Sequence, residues 1–139
     1  MKDSVIYKTM SRAELAGEKV VIDAELGKIV PKVVCLCGST RFKDAFDEAN
    51  YQETMKGNIV LSVGFFMHAS GNRHGESIGA TPEQKIALDE LHKRKIDLAD
   101  EVFILNVGGY IGESTRSELE YARSHSKVVR FLEEQGRQT

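Results

Sequence analysis

Runs of apolar residues, each about the length of one β-strand, recur along the chain and are separated by segments with a helical pattern. The runs cover residues 33–37, 58–63, 102–107 and 127–132. Because their apolar residues are consecutive rather than alternate, they are typical of strands that are buried on both faces of a parallel sheet. Helical segments between the strands imply right-handed crossovers. The pattern therefore predicts a small α/β domain with a doubly wound parallel sheet of about four core strands.

The helical segments carry recognisable ends and apolar faces. The first should end near Gly57, and its apolar stripe has helical spacing: Phe42, Ala45, Phe46 and Ala49. The second should begin at Thr81, with Pro82 at its first position and Gln84 at its third, which is a capping-box pattern. Its buried side is expected to comprise Ala87, Leu88, Leu91 and Leu98. Its basic residues are expected to be solvated: Lys93, Arg94 and Lys95. The third helix should begin near Ser114.

Two segments lie outside this pattern. Residues 1–31 are predicted to form an N-terminal arm rather than a separate domain, with a helix start at residues 11–14 and a small hairpin around residues 19–30. Residues 32–139 then form the domain itself. The glycine-rich connection 64–81 is long for a compact domain, and such loops are usually functional or mobile. It contains His68 and His74, but no cysteine or carboxylate stands beside them at ligand spacing, so no metal is predicted.

Composition restricts the partners and the compartment. The chain has 139 residues and a formal net charge of -2, so its charge gives no reason to expect binding to nucleic acid or to an anionic membrane. Cys35 and Cys37 share one face of the first core strand at a spacing unsuited to a disulfide. Buried reduced thiols indicate a reducing cytosol, and no apolar run is long enough to span a bilayer. The predicted location is therefore cytoplasmic.

Ligand-binding residues are expected in the turns that connect strands to helices, because open parallel sheets bind ligands at the carboxyl ends of their strands. Gly38, Ser39, Thr40 and Arg41 follow the first core strand, and their backbone N–H groups, hydroxyls and guanidinium could hold a phosphate or a sugar hydroxyl. Alternatively, Ser39 or Thr40 only caps the next helix and Arg41 is a surface residue. The segment has neither the Walker pattern nor the dinucleotide fingerprint, which disfavours a nucleoside triphosphatase or an ordinary dinucleotide site.

Glu118, after the third core strand, is the candidate catalytic residue. If Thr115 caps the helix, Glu118 takes the third helical position and its carboxylate points back toward the strand end. The same geometry is also a capping box with a purely structural role. A nucleophilic carboxylate needs a neighbouring hydrogen-bond donor. Three residues nearby in the sequence could supply one: Ser114, Ser117 and Tyr121. His92 and Asp89 could face the same crevice or only water.

Three segments of the chain are similar to the motifs of one family. They are Cys37-Gly-Ser-Thr-Arg41, Ile96-Asp-Leu-Ala-Asp100 and Gly112-Glu-Ser-Thr-Arg-Ser-Glu-Leu-Glu-Tyr-Ala122. Together they resemble the nucleoside 2-deoxyribosyltransferase-like superfamily, which includes deoxynucleoside monophosphate N-glycosidases, over roughly residues 32–132. The resemblance implies a flavodoxin-like (Rossmann-like) fold. The family's nucleophile is a glutamate in a pattern like G-x-x-x-E-[LI]-[GE]-x-A, which corresponds to Glu118 here.

The resemblance also implies a reaction. Glu118 would attack C1′ of a 2′-deoxyribonucleoside or its 5′-monophosphate and expel the base, after which water or a second base takes the sugar. Substrate contacts are expected from Gly38, Ser39, Thr40, Arg41, His92, Gly109, Gly112 and Ser114. His92 stands where the family commonly has an aspartate. No cofactor is implied, and a homodimer or higher homo-oligomer is expected. The alternatives are a non-catalytic nucleotide-binding or sensing protein on the same fold, and an interaction protein that acts through its arm.

Overall fold

A computed structural model of the protein describes residues 21–23, 28–64, 66 and 81–135. The strands are β1 (Val21–Asp23), β2 (Lys28–Val30), β3 (Val33–Cys37), β4 (Ile59–Leu61), β5 (Glu101–Ile104) and β6 (Val128–Phe131). The helices of the described residues are α1 (Lys43–Met55), α2 (Pro82–Leu98) and α3 (Glu113–Ser124), and a 3-10 turn at Val107–Gly109 precedes α3.

The four strands from β3 onward form one parallel sheet in the order β4-β3-β5-β6. This confirms the predicted doubly wound sheet, and the order is that of a flavodoxin-like fold. The chain runs outward from β3 to β4 and then returns to the other side of β3, where β5 pairs with it. The sheet therefore has its switch point between β3 and β5, where Cys37 lies opposite Ile104 at the carboxyl ends of both strands. Ligands of such sheets bind outside this point.

Each face of the sheet has its own core. On one face, α1 packs Phe46 and Ala49 against Val34, Leu36, Phe103 and Leu105. On the other face, α2 and α3 pack against the sheet. The core between them comprises Cys35, Cys37, Ile96, Ala99, Val102, Ile104, Leu119 and Ala122. Alternate residues of β3 thus serve opposite cores, because successive side chains of a strand point to opposite faces. The helices lie on both faces, as the doubly wound prediction requires.

The start of α2 was predicted correctly, but its buried side was not. The Thr81 hydroxyl accepts a hydrogen bond from the Gln84 N–H at 3.1 Å, and the Gln84 side chain accepts one from the Thr81 N–H at 2.9 Å. The buried residues of the helix are His92 and Ile96. The expected core residues Ala87, Leu91 and Leu98 are exposed and Leu88 is half-buried. The prediction failed because a polar histidine occupies a core position, whereas the apolar residues lie on a neighbouring face of the helix.

An ion-pair network connects α1 with β5 and β6. Arg130 Nη2 lies 2.9 Å from Glu53 Oε1 and 2.8 Å from Glu101 Oε2. Asn58 donates a second hydrogen bond to Glu53 at 2.9 Å, and the Arg130 guanidinium lies 4.0 Å from the centroid of the Phe103 ring. Burial alone would raise the pKa of Glu53, but the Asn58 hydrogen bond and the Arg130 charge outweigh it and hold that pKa below its usual value.

The segment before the sheet is only partly described. β1 and β2 pair antiparallel, with Val21 opposite Val30, within the region where a hairpin was expected. The helix start predicted at residues 11–14 lies outside the described residues, as do His68 and His74 of the glycine-rich connection. The arm and domain boundaries remain predictions. None of the helices in the described part of the chain has the length and apolarity needed to cross a bilayer.

Candidate functional site

Two thiols, an imidazole and a carboxylate meet under α2 and α3 at the carboxyl end of β3. His92 Nε2 lies 3.6 Å from Cys35 Sγ, 3.5 Å from Cys37 Sγ and 3.1 Å from the carbonyl oxygen of Leu36. The Cys37 thiol also acts on the Glu118 carboxylate, whose charged form it favours. The two cysteines are fully buried, and His92 and Glu118 are each 7% exposed. These four residues, Cys35, Cys37, His92 and Glu118, form the buried polar cluster.

The local sequence explains why each side chain points inward. Cys35 and Cys37 are two residues apart on a strand and so share one face, and both are free thiols, as predicted. His92 lies one helical turn before the buried Ile96 on the face of α2 that contacts the sheet. The buried stripe of α3 has helical spacing and includes the glutamate: Thr115, Glu118, Leu119 and Ala122.

Glu118 does not cap its helix. α3 begins at Glu113, and its N-cap is Gly112, which has no side chain to accept a capping hydrogen bond. The predicted cap, Thr115, is a buried residue inside the helix. Glu118 is therefore in the second turn, beyond the free N–H groups that a capping carboxylate serves. The capping-box interpretation is wrong, and it does not account for the burial of this carboxylate.

Two of the three hydrogen-bond donors expected for Glu118 are engaged with other residues. Tyr121 donates its hydroxyl proton to Asp97 at 2.6 Å, and Ser114 accepts a hydrogen bond from Lys85 at 2.7 Å. The Cys37 thiol of β3 acts on Glu118 instead, by favouring its charged form. This thiol is distant in sequence, and it is brought there by the packing of α3 on the sheet.

The members of the buried polar cluster shift one another's pKa values. Burial raises the pKa of Glu118 to about 7, although the charge of His92 opposes this. Burial disfavours the charged form of His92, but the hydrogen bond with Cys35 and the charge of Glu118 outweigh it and raise the pKa of His92. The hydrogen bond with Cys37 lowers the pKa of Cys35 to about 6 despite burial, whereas the pKa of Cys37 is raised well above its usual value. The charge of each group therefore depends on the protonation of its neighbours.

Glu118 and His92 line a cavity of about 340 Å³ between α2, α3 and the end of β4. Its lining comprises Val63, Gly64, Leu88, Asp89, Leu91, His92, Lys95 and Glu118. Small-molecule sites typically span about 300–1,000 Å³, so the cavity has the size of a binding site. Its combination of apolar walls with two carboxylates, an imidazole and an ammonium group is typical of such sites.

Comparison with protein-family models, curated proteins and solved structures gives no match to this chain. What the site can do must therefore follow from its own residues.

The turn after β3 has the geometry of a close approach between chain segments. A Cβ on Gly38 would lie 3.1 Å from Leu105 Cβ and 3.2 Å from the Leu105 carbonyl oxygen, so only glycine fits without a shift. Phe42 is the N-cap of α1 and no side chain caps that helix. The Ser39 hydroxyl instead accepts a hydrogen bond from the Arg41 N–H at 3.3 Å. The interpretation of Ser39 or Thr40 as a helix cap is therefore wrong.

The two predicted substrate-binding loops meet at the same edge of the sheet. The Arg41 guanidinium carbon lies 4.8 Å from the centroid of the Tyr110 ring, and a Cβ on Gly112 would lie 3.2 Å from the Tyr110 hydroxyl. Gly109 has a φ of 81°, a conformation that side chains rarely adopt. Neither loop contributes to the lining of the cavity that contains Glu118. The structure thus brings Glu118 together with His92, and the two loops together with each other.

Ser114 lies in a second cavity of about 380 Å³ beside the first. Its lining comprises Pro82, Lys85, Ile86, Asp89, Glu113, Ser114 and Ser117. Asp89 lines both cavities, which places Ser114 next to the Glu118 cavity rather than in it.

Sequence reasoning missed two kinds of residue in the site. Lys95 was expected to be solvated, but it lines the Glu118 cavity and donates a hydrogen bond to the Ser62 carbonyl oxygen at 2.6 Å. Cys35 and Cys37 were predicted only to be buried reduced thiols, but both contact His92, which is 57 and 55 residues away in sequence. The shared face of the two thiols was visible in the sequence. Their partner was not, because no local pattern reports which residue of α2 faces the sheet.

Proposed function

We propose that the protein cleaves or transfers the N-glycosidic bond of 2′-deoxyribonucleosides or their 5′-monophosphates, with Glu118 as the nucleophile. The observation that carries this proposal is the position of Glu118. It is a carboxylate, 7% exposed, that serves no helix cap and lines a cavity near the switch point of a parallel sheet. A carboxylate held in a cavity of this kind can attack an electrophilic carbon and form a covalent intermediate.

The reaction follows the scheme of a retaining glycosidase. An oxygen of ionised Glu118 forms a bond to C1′ as the bond from C1′ to the base nitrogen breaks, and the base leaves with the electron pair and takes a proton from solvent. The transition state resembles an oxocarbenium ion, which a nearby carboxylate stabilises. Attack of water or of a second base on C1′ then releases the sugar and regenerates Glu118. The raised pKa of Glu118, about 7, leaves an ionised fraction at neutral pH.

The turn after β3 is the proposed site for the 5′ end of the sugar and, in a nucleotide, for its 5′-phosphate, with C1′ placed in the Glu118 cavity. Backbone N–H groups near the start of α1 favour an anion, and the Arg41 guanidinium offers a fork of donors beside them. Stacking on Tyr110 holds that guanidinium at the edge of the sheet where the loop 108–112 also lies. Lys95 adds a cation to the wall of the Glu118 cavity.

A second function is favoured by the orientation of His92. Its Nε2 faces the Leu36 carbonyl oxygen at 3.1 Å and the two thiols, so this nitrogen is engaged with the sheet rather than with a leaving base. The alternative is therefore a protein that binds a deoxynucleotide in the same cavity without turnover.

The oligomer is also part of the proposal. Leu91 and Leu98 on α2 are 54% and 71% exposed, which is unusual for leucines on a helix that covers a sheet. Leu91 also lines the Glu118 cavity. We infer a homodimer in which this face of α2 is covered and the partner chain closes the cavity.

The decisive experiment is an assay for released base. The protein is incubated with a panel of deoxynucleosides and deoxynucleoside monophosphates, and free base is followed by chromatography, with Glu118→Gln and with Glu120→Gln as a matched control on an exposed position of α3. Base release that needs Glu118 but not Glu120 supports the enzyme. Thermal stabilisation by a panel member without base release favours the binding protein. Adding a second base separates transfer, which gives an exchanged nucleoside, from hydrolysis.

A further inference from the structure

Three potential metal ligands of the buried polar cluster point at one another. The sulfur atoms of Cys35 and Cys37 and a ring nitrogen of His92 all lie within 4.8 Å of one another. All three residues are buried, and His92 also borders the Glu118 cavity, which supplies an entry path. A single imidazole nitrogen thus faces two thiols at nearly equal distance.

The spacing agrees with that of a tetrahedral zinc site. Zinc binds thiolate sulfur at about 2.3 Å and imidazole nitrogen at about 2.0–2.1 Å, so at a tetrahedral angle the sulfur and nitrogen are about 3.5–3.6 Å apart. The two distances from His92 Nε2 are 3.6 Å to Cys35 Sγ and 3.5 Å to Cys37 Sγ. We propose that Cys35, Cys37 and His92 bind one zinc ion, with the fourth coordination position directed toward Glu118.

The chemistry of the donor set supports this choice of ion. Two thiolates and one imidazole suit zinc, whereas magnesium and calcium require oxygen ligands. On binding, the two thiols lose their protons and the imidazole carries its proton on Nδ1, so that Nε2 presents its lone pair to the ion. Without the ion, Nε2 donates its proton to the Leu36 carbonyl oxygen at 3.1 Å. No metal was predicted from the sequence because His68 and His74 were the residues considered, and they are not among these ligands.

The proposed zinc site and the proposed function can fail separately, because the nucleophile is not one of the three protein ligands. Water can supply the fourth position, which leaves the Glu118 carboxylate free for the proposed function. Glu118→Gln, which should abolish base release, should therefore keep the thiolate contacts to a bound ion.

Cobalt substitution tests the site in the full chain. The protein is purified under reducing conditions, treated with a chelator and titrated with Co²⁺ in the absence of oxygen and of any nucleotide. We expect a thiolate-to-cobalt charge-transfer band together with the intense visible bands of tetrahedral cobalt, saturating at one ion per chain and lost on addition of Zn²⁺. A weak octahedral spectrum without the thiolate band would overturn the proposal.

Substitutions identify the ligands. Cys35→Ser, Cys37→Ser and His92→Gln should each weaken Co²⁺ binding about tenfold or more, since even residues that only support a ligand are worth that much. His125→Gln is the matched control, because His125 is exposed and remote from the thiols, and it should bind as the wild type does. Binding that survives all three ligand substitutions would refute the site.

A second measurement needs no variant. The chain contains two cysteines, so alkylation of the native protein followed by mass spectrometry reports on both. Zn²⁺ should slow the alkylation of Cys35 and of Cys37, and equal rates with and without Zn²⁺ would contradict the proposal even if the variants failed to fold.

Discussion

Arg130 is the residue whose removal should test the packing of α1 against the sheet most sharply. Its guanidinium is the shared cation of two carboxylates whose side chains are almost fully buried, Glu53 at 2% exposure and Glu101 at 10%. Arg130→Met keeps most of the aliphatic stem and removes the charge, so both carboxylates lose their common partner. The substitution leaves the buried polar cluster untouched, because Arg130 lies on the opposite face of the sheet, beside Phe103.

The magnitude follows from burial and from the partners that remain. Removing one partner of a buried ion pair typically costs about 3–5 kcal/mol. Arg130 is itself 32% exposed, Glu53 keeps its hydrogen bond from Asn58, and Glu101 keeps Lys32 at 3.5 Å. These contacts reduce the expected loss to about 2–3 kcal/mol of the free energy of unfolding.

Urea denaturation followed by circular dichroism measures this loss as a lower midpoint at an unchanged slope. Arg116→Met, at an exposed position of α3, is the matched control and should change the free energy of unfolding by less than about 0.5 kcal/mol. The double variant of Arg130→Met with Glu53→Gln should be more stable than the sum of the two single losses predicts, because one of the two carboxylates that lost Arg130 is then neutral, and Glu53 otherwise keeps only the partly exposed Lys56 at 3.3 Å as a cation. Equal effects of Arg130→Met and Arg116→Met would refute this reasoning.

Three further predictions concern pH, packing and assembly. The pKa of Glu53 is lowered in the folded protein, so its charge stabilises the fold at neutral pH and this contribution is lost as the pH falls below the usual glutamate value of about 4.3; the stability difference between wild type and Glu53→Gln in urea should therefore shrink below pH 4.3, and a constant difference would contradict the assignment. Gly38→Ala should cost about 1–3 kcal/mol in the same assay, because the new Cβ would lie 3.1 Å from Leu105, whereas Gly64→Ala, with nothing within 4 Å, should be near neutral. Leu98→Glu should convert the proposed dimer to a monomer in analytical ultracentrifugation, and an unchanged mass would place the interface elsewhere.

The elements and their order could be predicted from the sequence because each depends on local patterns. Apolar runs of strand length identified all four core strands, and the capping box at Thr81 identified the start of α2. The buried face of α2 could not be predicted, because its core position is held by His92 and the neighbouring Leu91 is exposed. A polar residue is buried there for its contacts with β3, and those contacts are made only in the folded protein.

One part of the candidate site could likewise be predicted from the sequence, and another part could not. Glu118 could be selected because it follows a strand and a glycine loop, where open parallel sheets bind their ligands. The prediction that Thr115 is the N-cap was wrong. Because α3 begins at Glu113, the Glu118 carboxylate belongs to the second turn of the helix. The thiols that surround it, Cys35 and Cys37, come from another element more than 80 residues away, so only the packing of α3 on the sheet could reveal them.

The central claim is that Glu118 is a nucleophile toward a deoxyribosyl carbon, and mass spectrometry of the protein incubated with a deoxynucleoside panel tests it most directly. The account predicts free base together with a deoxyribosyl adduct on the peptide that contains Glu118, and neither product with Glu118→Gln. Base release that persists in Glu118→Gln, or its absence from the wild type with every deoxynucleoside and monophosphate of the panel, would contradict the account.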